Sequence, residues 1–181
     1  RSIRIFIVEK LPDEFKKYSD ASFILTGNSV EALQLLASYK RRGFQSPVIA
    51  VTGSAGKTIV KEWLSDILSL TTSVIRSPKS YNSQIGVPLS VWKLDEKYNI
   101  GIFEAGISFP GEMDKLQRII DPDIGVITNI GDAHRENFPD DIQVGEPFEV
   151  YLFLGYFDTD FLRQKYPALT GDELKEQRGG L

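Results

Sequence analysis

The sequence has 181 residues, enough for one compact domain or for one domain with a fragment of another. Its net charge of −4 argues against the broad basic surface that a nucleic acid or an anionic membrane would require, so neither partner is expected. There is no cysteine, which excludes disulfides, thiolate metal sites and a cysteine nucleophile. No apolar run could span a bilayer, and the first residues do not form a signal peptide, so a cytoplasmic protein is expected.

The first 45 residues predict two short strands and a helix. Apolar runs at residues 3–8 and 23–25 have strand character. Asn28 or Ser29 can cap the helix that follows, because a short polar side chain accepts hydrogen bonds from the unpaired N–H groups of the first helical turn. The helix is expected to close with basic residues and a glycine, in the order Lys40, Arg41, Arg42 and Gly43.

Strands and helices then alternate as far as residue 128. The continuous apolar run at residues 48–51 is typical of a parallel strand that is covered on both faces. A helix is predicted at residues 57–70, with one apolar stripe formed by Val60, Trp63, Leu64, Ile67 and Leu68. Further strands are predicted at 74–75, 99–103 and 124–128, and further helices at 84–93 and 111–120. The alternation predicts an α/β fold with a three-layer sheet.

A glycine-bearing loop at residues 52–58 joins the buried strand to the helix. Lys57 would neutralise the phosphates of a bound nucleotide, and the Thr58 hydroxyl would bind Mg²⁺. The long form of this motif has a glycine at the position of Val51, so the loop is a shorter Gly-x-x-Gly-Lys-Thr variant. A strand-to-helix turn with an incidental lysine and threonine is the alternative interpretation. In the phosphate-binding interpretation, the helix N-terminus and backbone N–H groups surround phosphate oxygens at Gly53, Ser54, Ala55 and Gly56.

Four segments in this order and spacing resemble the central ATPase domain of the Mur ligase family of ATP-dependent amide-forming enzymes. They are the P-loop at 52–58, Ser-Tyr-Asn-Ser-Gln-Ile-Gly-Val-Pro-Leu at 80–89, Phe-Glu-Ala-Gly at 103–106 and Ile-Thr-Asn-Ile-Gly-Asp-Ala-His at 127–134. The segment at 80–89 is most similar to the branch that adds D-alanyl-D-alanine to the UDP-N-acetylmuramoyl tripeptide. Residues 3–45 resemble the stretch before the loop in that branch. The sequence is also similar to the ligase part of fusions between such a ligase and an alanine racemase.

The resemblance implies a ligase of peptidoglycan precursor synthesis, with ATP and Mg²⁺ as cofactors. Its substrates would be a UDP-N-acetylmuramoyl peptide and D-Ala-D-Ala. ATP would phosphorylate the terminal carboxylate of the muramoyl peptide, and the amine of the dipeptide would attack the resulting acyl phosphate. The protein's contribution to such chemistry is mainly positioning and charge neutralisation.

The resemblance also implies roles for five residues. Lys57, Glu104 and His134 would be catalytic, with Lys57 on the γ-phosphate. Thr58 and Glu104 would hold a first Mg²⁺, and His134 would hold a second one between the acyl phosphate and ATP. Asn82 would line the cleft near the phosphates. These assignments depend on the matching motifs rather than on composition or spacing.

Three of these residues have ordinary structural interpretations as well. Glu104 follows an apolar strand and could be its solvated end. His134 is the only histidine, and a lone histidine is more often a polar residue with satisfied hydrogen bonds than a ligand; magnesium shells are also rich in oxygen. Asn82 could stabilise a turn through its own side chain.

The resemblance covers residues 1–139 and predicts three parts. Residues 1–45 would be a remnant of an N-terminal domain that holds the UDP substrate, residues 46–139 a partial, incomplete ATP-binding central domain, and residues 140–181 an unassigned tail. The rest of the central domain and a third, closing domain are expected elsewhere in the full-length protein. The family also has a lysine beyond the histidine whose carbamate bridges the metals, and between Leu116 and Gln164 this sequence has no lysine.

Two other functions are compatible with the same sequence. A P-loop module that binds nucleotide without ligase activity is favoured by the missing bridging lysine and the missing closing domain. Another ligase of the superfamily, such as one that adds polyglutamate, would share the loop; the segment at 80–89 argues against it.

Overall fold

The protein is described here by a computed structural model, which covers residues 3–129. A short 3-10 helix, Phe15–Lys17, follows the first strand. Within the described range the strands are β1 (Ile5–Val8), β2 (Ser22–Leu25), β3 (Val48–Thr52), β4 (Val74–Arg76), β5 (Ile100–Glu104) and β6 (Ile124–Ile127). The helices are α1 (Ser29–Arg42), α2 (Lys57–Leu68), α3 (Gly86–Val91) and α4 (Glu112–Ile120). All elements predicted from residues 3–129 are present, with ends that differ by a few residues.

The main sheet has four parallel strands in the order β4-β5-β3-β6. Its central strand β3 is buried along its whole length, as the unbroken apolar run predicts. Val51 of β3 pairs with Glu104 of β5 on one side and with Val126 of β6 on the other. The carboxyl ends of neighbouring strands therefore lie side by side, and the chain segments that leave them meet at one edge of the sheet.

Helices cover both faces of this sheet. On one face α2 packs its half-buried Val60 and Leu64 against Val51 and Ile102 of the sheet. On the other face α1, α3 and α4 pack against each other and against the sheet. The core of that face is formed by buried apolar residues that include Ala37, Val87, Phe103, Leu116 and Ile120. The predicted three-layer α/β architecture is confirmed. No helix between residues 3 and 129 has both the length and the apolar character needed to cross a membrane.

The predicted apolar stripe of α2 is divided in the structure. Val60, Leu64 and Leu68 face the sheet, whereas Trp63 and Ile67 have 66% and 64% of their surface exposed. The side of α2 that is fully buried instead carries two polar residues, Lys61 and Ser65. The prediction that one stripe unites all five apolar positions is wrong, because α2 is turned so that positions 60, 61, 64, 65 and 68 face the protein.

Helix α1 begins as the sequence predicts. The side chain of Asn28 accepts hydrogen bonds from the backbone N–H groups of Val30 and Glu31, at 2.9 and 3.1 Å. At the end of β1, the carboxylate of Glu9 accepts hydrogen bonds from the Ser29 backbone N–H and hydroxyl, and these bonds lower the pKa of the Glu9 carboxyl. The α1 terminus thus links the two-stranded sheet to the helical layer.

Helix α1 also ends as the sequence predicts, with basic residues in its last turn and a glycine after it. Gly43 has a φ of −78°, so this glycine closes the helix in right-handed rather than left-handed conformation. Arg41, in the last turn, is buried and donates to the backbone oxygens of Phe44, Ile120 and Asp121. The basic last turn therefore includes a structural arginine that joins α1 to the end of α4.

Strands β1 and β2 form a separate parallel sheet of two strands. Several of its apolar side chains are exposed, among them Ile5 and Leu25 at 65% and 62%. Helix α1, in contrast, packs on α3 and α4, which lie on one face of the main sheet. The proposed boundaries at residues 45 and 139 stay predictions.

Candidate functional site

The loop between β3 and α2 lies at the carboxyl edge of the main sheet. Gly53 and Gly56 have φ angles of 127° and 79°, conformations that side chains with a Cβ rarely adopt. These two glycines turn the chain so that Gly56 precedes the first turn of α2, which begins with Lys57 and Thr58. The ammonium of Lys57 folds back and donates to the backbone oxygen of Gly53. The loop thus places a lysine, a hydroxyl and a helix N-terminus at one point.

Glu104, the last residue of β5, lies beneath this loop. Its side chain is 1% exposed, and the Thr58 hydroxyl donates to its Oε2 at 2.8 Å. The amide nitrogen of Asn82 donates to its other oxygen, Oε1, at 2.7 Å. The carboxylate is therefore held by two neutral donors from two different segments. The solvated strand end considered from the sequence is excluded by this burial.

The segment after β4 supplies the third side of the site. Ser80 places its hydroxyl oxygen 3.2 Å from that of Thr58. The side-chain nitrogen of Asn82 donates to Glu104 rather than to its own turn. A Cβ on Gly106 would lie 3.0 Å from the Asn82 side chain, so a glycine after β5 lets this side chain approach. Sequence motifs that are far apart along the chain thus meet at one edge.

These groups line a cleft with a volume of about 370 Å³. Within residues 3–129, no cluster of three or more His, Asp or Glu side chains is placed to hold a metal ion. The cleft offers instead one carboxylate and hydroxyl oxygens, which suits Mg²⁺, because this ion commonly takes one or two carboxylates and completes its shell with water and phosphate oxygens. The lining residues are Ser54, Ala55, Gly56, Lys57, Thr58, Ile59, Ser80, Asn82 and Glu104.

Residues after β6 close the back of the loop. The backbone oxygen and side-chain oxygen of Asn129 accept hydrogen bonds from the backbone N–H groups of Ser54 and Ala55, at 3.0 and 2.7 Å. The Thr128 hydroxyl donates to the backbone oxygens of Thr52 and Ala55. Both residues belong to the motif at 127–134, but no role was predicted for either of them. Their polar side chains at the end of a strand next to β3 are the signal that could have identified them.

Two further residues of the site were missed. Ser80 belongs to the motif at 80–89 and lines the cleft, but no role was predicted for it. Lys61 is 0% exposed and lies one helical turn after Lys57. The signal for Lys61 in the sequence is that this lysine occupies a position on the sheet-facing side of α2, where an apolar residue is the usual choice. His134, the proposed ligand of a second Mg²⁺, lies outside the described residues.

Gly53 provides a test of how tightly the loop is packed. A Cβ at Gly53 would collide with the Thr128 hydroxyl oxygen and would lie 2.8 Å from the Asn129 backbone oxygen. Gly53→Ala is expected to lower the free energy of unfolding by about 2–4 kcal/mol, since it combines left-handed strain with a collision. Chemical denaturation measures this change.

The matched control is Gly111→Ala. Gly111 also has a positive φ, of 78°, but a Cβ there would meet no atom within 4 Å. Its replacement should cost only the backbone strain, about 1–2 kcal/mol. Equal losses for the two variants would show that Gly53 is not closely packed against the segment after β6.

The architecture and the loop define the class of this domain. A parallel sheet with helices on both faces, and a glycine-bearing loop from its central strand to a helix, are the features of an α/β P-loop domain. The sequence profile of the Mur ligase middle domain matches residues 51–145, more than half of the chain. The chain therefore belongs to the Mur ligase family.

Curated relatives have similar sequences over part of their length. A UDP-N-acetylmuramoyl-tripeptide–D-alanyl-D-alanine ligase of Borreliella burgdorferi is 42% identical over 116 residues, which are 64% of this chain and 25% of the relative. The ligase of the same name from Bacillus subtilis is 39% identical over 114 residues, 63% of this chain and 25% of the relative. The chain thus spans about a quarter of the length of these relatives.

Solved structures give the same result for the fold. MurF from Acinetobacter baumannii superposes with a TM-score of 0.67 at 30% identity, covering 74% of this chain and 28% of that protein. MurF ligase from Thermotoga maritima, whose structure is a complex with ADP, superposes with a TM-score of 0.61 at 30% identity, covering 72% of this chain and 35% of that one. Strand and helix arrangement is therefore shared with these enzymes.

Proposed function

We propose that the chain is the nucleotide-binding part of an ATP-dependent ligase that joins D-Ala-D-Ala to the UDP-N-acetylmuramoyl tripeptide. The observation that carries the proposal is the contact between Thr58 and a buried Glu104 beneath a P-loop, because it puts an ionisable oxygen ligand beside a phosphate-binding loop. The relatives from Borreliella burgdorferi and Bacillus subtilis are both named UDP-N-acetylmuramoyl-tripeptide–D-alanyl-D-alanine ligase, which supports the proposed choice of substrates.

The proposed nucleotide site uses the loop and the start of α2. Backbone N–H groups of residues 54–58 and the positive end of α2 bind the phosphate oxygens. Lys57 leaves the Gly53 oxygen and neutralises the terminal phosphates. The ADP in the Thermotoga maritima relative supports a nucleotide as the ligand.

Mg²⁺ would be held by Thr58 and Glu104. The ion supplies positive charge that stabilises the charge developing on transferred phosphate oxygens. Asn82 donates to the far oxygen of Glu104, and this hydrogen bond keeps Oε2 turned towards Thr58. The proposed role of Asn82 is therefore to orient the carboxylate at the phosphate end of the cleft. His134 is proposed as a ligand of a second ion on the strength of its motif alone.

The proposed chemistry needs the chain to bind and orient rather than to react covalently. The γ-phosphoryl group moves from ATP to the terminal carboxylate of the muramoyl peptide, and ADP leaves. The amine of D-Ala-D-Ala then attacks the acyl phosphate carbon, and phosphate leaves as the amide forms. Lys57 stabilises the negative charge of the transferred group, and the surfaces for the two organic substrates are proposed to lie mainly in other domains of the full-length protein.

Glu104→Gln tests the proposed metal site. The variant should lose most of the increase in ADP affinity that Mg²⁺ produces, because Thr58 alone is a neutral ligand for a hard cation. Its affinity for metal-free ADP should stay equal or rise, since a negative charge near the phosphates has been removed. Titration calorimetry with and without Mg²⁺ measures both quantities. Glu31→Gln, on the exposed first turn of α1, is the control; an unchanged Mg²⁺ effect in Glu104→Gln would make Glu104 a structural residue.

The substrate proposal is tested in the complete protein encoded around these residues. That protein, supplied with UDP-N-acetylmuramoyl tripeptide, D-Ala-D-Ala and Mg·ATP, should form the pentapeptide product, and Lys57→Ala should abolish product formation. Mass spectrometry detects the product. Addition of glutamate in place of the dipeptide would identify a polyglutamate-adding ligase, and nucleotide binding with no product from either amine would identify a binding module.

A further inference from the structure

Lys61 is a fully buried lysine that does not line the nucleotide cleft. Lysine is almost never buried completely unless its charge has partners. Its ammonium donates to the backbone oxygen of Ser77 at 2.9 Å and to that of Lys79. It also lies 3.0 Å from the Glu62 carboxylate and 3.8 Å from Oε2 of Glu104. The ammonium thus faces the underside of the proposed magnesium site.

The two backbone oxygens belong to the turn that follows β4. Lys79 has a φ of 49°, a left-handed conformation that costs a residue with a Cβ about 1–2 kcal/mol. Lys61 contacts the chain on both sides of Pro78 and stabilises this strained turn. Three residues later the same segment presents Asn82, whose side chain donates to Glu104. Lys61 therefore acts on Glu104 through the turn as well as directly.

Glu104 needs a countercharge. It is 1% exposed, and its hydrogen bonds at Oε1 and Oε2 come from neutral groups of Asn82 and Thr58. Removing an ionised carboxylate from water costs several kcal/mol, and neutral donors offset only part of that cost. The other nearby carboxylate, Glu62, is partly exposed and already paired with Arg76 at 2.7 Å. The ammonium of Lys61 is the cation placed to compensate Glu104.

We propose that Lys61 is a positioning residue for Mg²⁺-dependent nucleotide binding, which acts by holding the Glu104 carboxylate in place. This inference rests on the proposed function of the loop. The two lysines of α2 then have different roles. Lys57 acts on phosphate above the loop, and Lys61 acts on the metal ligand Glu104 below it. If Lys61 only stabilised the fold, its replacement would not reduce the Mg²⁺-dependent part of nucleotide binding specifically.

Lys61→Met in the 181-residue chain tests this role. Titration calorimetry with ADP, at a temperature well below unfolding, should give metal-free affinity within about twofold of the wild type, because the loop and Lys57 are intact. The gain in affinity from Mg²⁺ should fall by about tenfold or more, the size of a lost interaction with a charged group. Lys115→Met, on the exposed side of α4, is the control and should bind as the wild type does.

The double variant Lys61→Met/Glu104→Gln keeps the test decisive if the single variant is unstable. It buries no uncompensated charge, so it should unfold at a higher temperature than Lys61→Met. Its response to Mg²⁺ should equal that of Glu104→Gln alone, because both changes act on one group. A larger loss in the double variant, or a Lys61→Met protein with a normal Mg²⁺ effect, overturns the role of Lys61 while the loop assignment stands. A wild-type chain that binds no ADP under either condition overturns both proposals.

Discussion

Replacing Lys57 with alanine is expected to weaken Mg·ADP binding by about ten- to a hundredfold. Lys57 lies at the first turn of α2 and lines the cleft. Its ammonium donates to the Gly53 oxygen and forms no ion pair with a carboxylate of residues 3–129. A hydrogen bond to a charged phosphate contributes about 1.5–3 kcal/mol, and about 1.4 kcal/mol corresponds to a tenfold change in affinity. Titration calorimetry on the two proteins measures the difference directly.

The control for this substitution is Lys93→Ala. Lys93 is exposed, follows α3 and does not line the cleft, so its loss removes one positive charge without touching the loop. It should change the affinity by less than about twofold, since a distant surface charge is screened at ordinary salt. Equal binding by wild type and Lys57→Ala would contradict the assignment of residues 52–58 as the phosphate site.

The 181-residue chain by itself is expected to form no amide bond. Its matched region spans 25% of the Borreliella burgdorferi ligase, and the surfaces for the two organic substrates are proposed to lie mainly in other domains of the full-length protein. A misplacement of about 1 Å between reacting groups can cost about a hundredfold in rate. An open cleft would also admit water to an acyl phosphate. The expected residual reaction is slow ATP hydrolysis, uncoupled from ligation.

Mass spectrometry after incubation with UDP-N-acetylmuramoyl tripeptide, D-Ala-D-Ala and Mg·ATP tests this expectation. Phosphate release, measured in the same samples, reports the hydrolysis, and Lys57→Ala should remove it. Pentapeptide formed at ordinary enzyme turnover, roughly 1–10³ per second, would show that the short chain is catalytically complete. The proposed division into domains would then be wrong.

Local sequence signals were sufficient for most of the fold. The buried run at residues 48–51 predicts a central parallel strand because only a strand covered on both faces is apolar throughout, and β3 is such a strand. Asn28 predicts its helix start because capping depends on the residue's own side chain. The rotation of α2 could not be predicted in this way. Its orientation depends on what lies behind Lys61 and Ser65, and those contacts come from distant segments.

In the site, too, some features follow from local sequence, whereas others depend on contacts between distant segments. The loop at residues 52–58 is contiguous, so the sequence places its phosphate-binding groups together. The arrangement of Thr58, Asn82 and Glu104 requires the strand order β4-β5-β3-β6, and strand order is not written in any one segment. The resemblance to the Mur ligase family, rather than a local pattern, predicted that these three residues lie together. Lys61 was missed because its burial depends on the rotation of α2, which contacts with distant segments determine.

The internal bonds of the loop have a consequence for what it can select. The N–H groups of Ser54 and Ala55 and the ammonium of Lys57 already donate to oxygens of Asn129 and Gly53. At these three donors an incoming ligand therefore replaces an existing acceptor, and it gains only the difference between its own oxygens and neutral amide oxygens. The oxygens of a polyphosphate are charged and form stronger hydrogen bonds than amide oxygens do, whereas the oxygens of a neutral sugar or alcohol do not. These three donors are therefore expected to favour charged over uncharged ligands, independently of any contact with the nucleoside.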